Sequence, residues 1–531
     1  MSVTHHTISM NGTDTLAPAA IAADILETLL STPVWHGVVW AAFFPILYYV
    51  LSAIYSLYFH PLAKFPGPKL AAVSRLPFAI SAVRGRTYEW LDDLHQRYGS
   101  VVRIAPGELT TISPGAWEDI YLRRPTMLKD SHSQTPPMNG ADSLFTAEGH
   151  THTRMRRTFL NGFSDRALRE QVPIIESYSE LFIQRLRREY AKAPANTLDM
   201  GKYYGYVGLD VIADLTFGES FHGLEKDNEH QWVLGFFLGA KFGAIRNSLS
   251  YFYPMDRLFG MIFLRMTAEN RARNWKYTAE RVTKRLDMAT AGIERSDFMT
   301  PVIGNVNEGH EKGITRNELN TNSLAMVIAG SQLTMVALST ATYLLLKNPE
   351  TYRRLQEEVR SSVSTLSELG VESVQSLPYL SAVVDETLRI HHPTPIHLPR
   401  IVAPEGQIID GKWIPGNTVI GVALQTAQTS SLYWADPHGF HPERFLPLGH
   451  AYYDSQFKHD NKEAFHPYSI GNRSCVGKKV FQAEAKLVLA KTIFAFDLQL
   501  SDQTDRDWMN QSAYLVFHPK PLYVKLTERS I

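Results

Sequence analysis

From Thr28 to Ala63 the chain contains no Asp, Glu, Lys or Arg. A run so free of charge either crosses a bilayer or lies wholly inside a core, so it limits the fold more than any other feature. Within it, Gly37–Phe59 (GVVWAAFFPILYYVLSAIYSLYF) meets the roughly 20 apolar residues a helix needs to span hydrocarbon. A cleaved leader would be shorter and follow a basic stretch, yet no Lys or Arg precedes Lys64. Pro45 would damage a helix in water but is tolerated in a membrane helix. Trp35, Trp40, Tyr55 and Tyr58 lie toward the ends, where amphipathic rings suit the interface. Asp14, Asp24 and Glu27 precede the run, and Lys64, Lys69 and Arg75 follow it, which orients the C-terminal bulk to the cytosol. The reading is a lumenal segment over residues 1–33, carrying the sequon Asn11-Gly-Thr13, and a single-pass anchor over 34–59. A stiff hinge over 60–69 follows, centred on Lys64-Phe-Pro-Gly-Pro68. The alternatives are a buried core helix and an ordinary loop.

Beyond the hinge, residues 70–531 read as one mainly helical body with a minor sheet. Helical patterns run over Asn348–Ser361 and Phe481–Phe496, and β-like stretches over Ser100–Ile104, Thr418–Val422 and Ala513–Leu526. The 53 basic and 53 acidic residues cancel, so no basic excess exists to bind nucleic acid. Hydrophobic residues make up 44% and charged ones 20%, enough apolar material for a large core. Cys475 is the single cysteine, so no intrachain disulfide forms.

A second uncharged run, Leu319–Leu346, is too rich in Asn, Ser, Thr and Gln for lipid and reads as a central buried helix. Its segment Ala329-Gly330-Ser331-Gln332-Leu333-Thr334 is small enough to admit close approach, which points to a cofactor. The densest chemistry lies at Tyr468-Ser-Ile-Gly471-Asn-Arg473-Ser-Cys475-Val-Gly477, just before a helical pattern. A helix N-terminus favours an anion, so Cys475 is suited to be a thiolate and an iron ligand. A structural thiol in a glycine-rich turn is the alternative.

Tyr468–Gly477 resembles the haem-binding loop of the cytochrome P450 family, F-x-x-G-x-R-x-C-x-G, with Tyr468 in place of Phe. Other stretches match family motifs in the family's order. They are His152-Thr-Arg-Met-Arg156, Glu386-Thr-Leu-Arg389 and Phe440-His-Pro-Glu-Arg-Phe445, with Asp210–Gly218 and Leu377-Pro-Tyr-Leu380 beside them. The resemblance covers the chain from about Pro66 to its end. It implies the cytochrome P450 fold behind one transmembrane helix, a haem b whose iron is held by Cys475, and propionates met by His152, Arg156, Arg400 and Arg473. Glu386 and Arg389 share a helix face and can pair, and Arg444 can complete a buried structural triad.

The resemblance further implies a monooxygenase on the endoplasmic reticulum membrane that inserts one oxygen atom into a small apolar organic substrate. Terpenoids, alkaloids and polyketides of fungal secondary metabolism are the classes it suggests. Electrons are then expected from NADPH through cytochrome P450 reductase, with cytochrome b5 as a further donor. By analogy Ser131–Gly149, Trp232–Tyr253 and His391–Leu398 face the substrate; Phe236, Phe237, Phe242, Tyr251 and Phe252 read as an access route, a membrane-dipping surface or a core stripe. The catalytic segment departs from the family's A/G-G-x-D/E-T-T/S. Gly330 is kept, Gln332 replaces the acid, Leu333 replaces the first threonine, and Thr334 lies one position on. Proton delivery must therefore differ. Either a substrate hydroxyl or ordered water supplies protons, or the chain is a haem-thiolate isomerase, dehydratase or coupling enzyme. A non-catalytic haem binder is the third reading.

Overall fold

The computed structural model describes residues 33–134, 137, 139–192, 194–226, 231–306 and 313–529, without side chains for 33–35, 194 and 231–238. The sequon, Phe236 and Phe237 fall outside the described side chains. The chain separates into two compact units, one through Ala63 and one from Lys64.

The first unit is helix α1 (Pro33–Tyr58), which passes through Pro45. Its apolar side chains are exposed all round: Trp40, Phe44, Ile46, Tyr48 and Tyr49 are each about half or more accessible. Every described side chain from 36 to 52 is exposed within this unit. The helix is long and apolar enough to cross a membrane.

The second unit is helical with small sheets. Its parts, in chain order, are α2 (Leu76–Val83), β1 (Val101–Ala105), β2 (Glu108–Thr111), α3 (Gly149–Leu160), α4 (Asp165–Tyr190), β3 (Thr197–Asp199), α5 (Met200–Phe217), α6 (Gln231–Leu249), α7 (Met255–Thr290), α8 (Arg316–Lys347), α9 (Pro349–Ser362), α10 (Pro378–Ile390), β4 (Arg400–Ile401), β5 (Val419–Val422), α11 (Lys478–Ala495), β6 (Phe496–Leu500) and β7 (Tyr523–Glu528). One sheet runs β1-β2-β5-β4, with β2 and β5 parallel (Glu108 opposite Val419) and the outer pairs antiparallel. Another runs β3-β7-β6, all antiparallel. The pattern read over Ala513–Leu526 breaks into three pieces: Ala513–Tyr514 and Val516–Phe517 pair antiparallel about Leu515, whose φ is +83, and Pro519 and Pro521 interrupt the chain before β7.

α8 forms the axis of the core. Thr315 caps its first turn, accepting from Glu318 N while the Glu318 carboxylate accepts from Thr315 N. Glu318 also takes both Nη atoms of Arg154, at 2.6 and 3.1 Å, fastening α3 to the start of α8. α5 lies closest to α8 along Gly201, Gly205 and Gly208. A Cβ on Gly208 would sit 3.1 Å from Ser331 O, and one on Gly205 3.1 Å from Met335 Sδ. α8 answers with Gly330, where a Cβ would meet Ile212 Cγ1 at 2.4 Å. The small segment expected to admit a cofactor is thus, at Gly330, fitted to a neighbouring helix.

Candidate functional site

The loop ahead of α11 begins with a 3-10 turn, Gly471–Arg473. Gly471 has φ +76, and a Cβ there would lie 2.2 Å from Tyr121 O, so only glycine fits. Cys475 N donates to Tyr468 O at 2.8 Å, closing the loop, and Gly477 caps α11. Cys475 retains accessible surface. Burial nevertheless raises its thiol above the ordinary value, against the Gly477 and Lys478 N–H groups and the Arg156 charge. Accessible yet enclosed, the sulfur lines an internal hollow.

Cations gather at this loop. His152 and Arg156 are four apart on α3, so both face the loop while Arg154 turns to α8. Arg156 donates to Ser474 O at 2.9 Å and Ser474 Oγ at 3.1 Å, holding the residue before the cysteine. Arg473 donates to Glu148 at 2.7 Å, and its Nη1 is buried without a partner among the described residues. Arg400 donates to Pro399 O at 2.8 Å and lies over the Tyr121 ring. Tyr121 in turn donates to Leu398 O and accepts from Val422 N, tying this strand end to the sheet.

Sequence reasoning missed Lys129, which bridges to Arg400 across an antiparallel contact. Burial first, then Arg473 and Arg400, hold its ammonium down to about 7. His152 is held down to about 4 by burial and then by Arg473, Arg156, Lys129 and Arg400. No motif marks Lys129; its contact with Arg400 spans a sequence separation that no local pattern covers. A buried surplus of positive charge with an orphaned guanidinium nitrogen suits a dianion. The donor set and the thiol therefore fit a haem with two propionates.

α8 contributes an apolar wall. Ala325, Ala329 and Leu333 keep some accessible surface while Ser331, Gln332 and Thr334 are buried. Ala337, one turn beyond Leu333, clusters with Val384 and Leu388, and Tyr468 and Phe481 pack on that cluster, which carries the stripe to the cysteine loop. The Ser331 and Thr334 hydroxyls are spent on α8 itself, donating to Val327 O and Gly330 O at 2.8 Å. Gln332 Nε2 makes a long contact to Ser331 Oγ at 3.4 Å, and its Oε1 has no partner among the described residues. Gly330 and Thr334 thus belong to the α5 contact, and Leu333 belongs to the hollow.

The expected triad is present and fully buried. Glu386 holds Arg389 at 2.7 and 2.8 Å and Arg444 at 3.1 Å. Arg389 donates onward to Gln428 O, Pro437 O and Gly439 O, and Arg444 to Ala435 O and Asp436 O. Asp460, which the motif did not indicate, also pairs with Arg444. The network clamps the irregular chain leading to the cysteine loop. Two further motifs are scaffolding: the Asp210 carboxylate accepts from Phe221, Gly223 and Leu224 N, and Tyr379 N and Leu380 N at the start of α10 donate to Glu358.

A family model described as Cytochrome P450 matches residues 66–526. The chain is 36% identical over 488 residues to "Cytochrome P450 monooxygenase lcsI" of Purpureocillium lilacinum, covering 91% of this chain and 92% of that one. It is likewise 36% identical over 489 residues to "Averantin hydroxylase" of Dothistroma septosporum, covering 92% and 90%. With "Cytochrome P450 monooxygenase efuB" of Hormonema carpetanum it shares 34% over 486 residues, covering 91% and 94%.

Proposed function

From the premise that this chain belongs to the cytochrome P450 family of haem-thiolate monooxygenases, we propose a membrane-anchored enzyme that hydroxylates an apolar fungal secondary metabolite, its body in the cytosol and its anchor in the endoplasmic reticulum. Residues 1–33, 34–59, 60–69 and 70–531 are its lumenal segment, anchor, hinge and catalytic domain. NADPH, through its reductase and with cytochrome b5 as a second donor, supplies two electrons. One oxygen atom of O2 enters a C–H bond, and the other leaves as water with two protons.

Cys475 holds haem iron, which supplies dioxygen activation. Arg400, Arg473, Lys129 and His152 receive the propionates, and Arg156 holds the loop through Ser474. Ala325, Ala329 and Leu333 seat the apolar substrate and exclude water. Protons come from a substrate hydroxyl or from ordered water, because the Leu333 side chain offers no donor. The observation that carries this reading is the Leu333 wall: every nearby α8 hydroxyl already donates to its own helix.

Product formed per NADPH oxidised, in wild type and in Leu333→Thr, tests it with the metabolite found by comparing hosts with and without the gene. Wild-type turnover should require O2 and NADPH, and Leu333→Thr should stay active with an altered ratio. The same leucine also suits an isomerase, dehydratase or coupling enzyme, which needs no proton delivery to dioxygen. NADPH-independent turnover in both forms would establish that reading instead.

A further inference from the structure

The chain leaves α1 at Tyr58, and Lys64 follows six positions later. That stretch spans at most about 20 Å, so beside a spanning helix the Lys64 ammonium stays within reach of the lipid headgroups. The residues after it are strapped to the second unit. Arg103 N of β1 donates to Pro66 O at 2.7 Å, and a Cβ on Gly67 would lie 2.4 Å from Arg103 O. The same unit carries a hairpin, Gln407–Ile409 paired antiparallel with Lys412–Ile414, in which Ile408 stands opposite Trp413.

Strap and hairpin enclose a cleft of about 390 Å³ whose lining includes Lys64, Phe65, Tyr98, Ser100, Lys412 and Trp413. That volume lies at the small end of the roughly 300–1,000 Å³ of small-molecule sites and suits a headgroup rather than a whole lipid. Its charge has one sign. No acidic residue lines it, and neither lysine is in an ion pair among the described residues. Lys64 Nζ lies 5.4 Å from the Phe65 ring. The Trp413 ring is supported from behind, since a Cβ on Gly406 would meet its Cζ2 at 2.4 Å. Trp413 is nevertheless 51% exposed, and Ile408 opposite it 61%. A half-exposed indole beside two ammoniums suits the boundary between hydrocarbon and water. The lysines also select the sign of the headgroup. Each is worth about a fivefold gain at an anionic surface. One exposed ring offers a choline cation only about two- to fivefold, and both lysines repel that cation.

We propose that this cleft binds the headgroup of an anionic phospholipid from the leaflet where α1 emerges, its phosphate met by Lys64 and Lys412 and its hydroxyls by Ser100 and Tyr98. This rests on the membrane anchor proposed above and adds to it a lipid class and a site. The test places the full-length chain in nanodiscs of equal parts phosphatidylcholine and phosphatidylinositol and identifies the lipid it retains by native mass spectrometry. Phosphatidylinositol is the probe because it carries a phosphate and hydroxyls without an ammonium. The wild type should retain it in preference to phosphatidylcholine. Lys64→Gln and Lys412→Gln should each lower that retention about fivefold. Lys69→Gln, five residues beyond Lys64 but outside the cleft lining, should leave it unchanged. Equal loss in Lys69→Gln would reveal diffuse surface charge, and equal retention of the two lipids would reveal no headgroup site; either result overturns the proposal. Retention of soluble glycerophosphoinositol by the chain in pure phosphatidylcholine discs would overturn the lipid as the source and assign the cleft to a free phosphate ester. A chain that does not enter the discs would overturn the anchor and the site together. A missing reduced carbon monoxide spectrum counts against the haem assignment alone and leaves the lipid result standing.

Discussion

Burial holds the His391 imidazole down to about 3, because its ring is enclosed and stacked 3.7 Å from Phe517 while Nδ1 meets Thr340 Oγ1 at 3.2 Å. An imidazole depressed in the fold stays neutral there but takes up a proton on unfolding below its ordinary 6.5. The stability it contributes is therefore complete above that value and is lost as pH falls toward the folded value. His391→Phe keeps the ring stack and loses the Thr340 bond. At pH 7.5 the variant should be about 1 kcal/mol less stable. At pH 4.5 it should gain roughly 3 kcal/mol relative to wild type, since each unit below the ordinary value carries about 1.4 kcal/mol. Urea unfolding at the two pH values should show the order reversing. Parallel curves would mean that His391 is already protonated in the fold.

At the scale of elements, the α5–α8 contact sets where Leu333 points. Close approach through Gly201, Gly205 and Gly208 buries Ser331 and Thr334 and leaves the Ala325–Ala329–Leu333 stripe for the hollow. Gly330→Ala places a methyl on the Ile212 side chain, which must shift within a packed core, at a cost of about 1–3 kcal/mol. Ile212→Ala alone leaves a cavity and costs about 2–5 kcal/mol. The double variant should be less unstable than the sum of the singles, because each change removes the other's defect. Strict additivity in thermal or urea unfolding would show that Gly330 does not serve this contact.

At the scale of the whole molecule, the chain divides at Ala63 and Lys64 into an exposed apolar helix and a self-contained body. The body holds the motif network, both larger sheets and the cysteine loop within residues 64–531. A chain starting at Lys64 should therefore fold, give the reduced carbon monoxide spectrum of a thiolate-ligated haem and lose most membrane retention. Protease added to intact microsomes should digest the full-length body. A protected body would reverse the proposed topology, and a truncated chain without the spectrum would show that the body needs its anchor.

Local pattern carried much of this protein. The uncharged run identifies α1, because spanning hydrocarbon is a matter of length and composition. Glu386 and Arg389 could be paired in advance, since three residues on a helix fix their proximity. The cysteine loop was legible because its glycines and its arginine are sequence neighbours of Cys475. Pairings between distant segments were not legible. Lys129 joins Arg400, Asp460 joins Arg444, and Lys64 and Lys412 share one cleft only because segments remote in sequence are brought together by packing. Gly330 shows the same limit. Its size signals that something comes close, but only the tertiary structure reveals that Ile212 of α5 is what approaches, since a glycine records the space it leaves and nothing about what fills it.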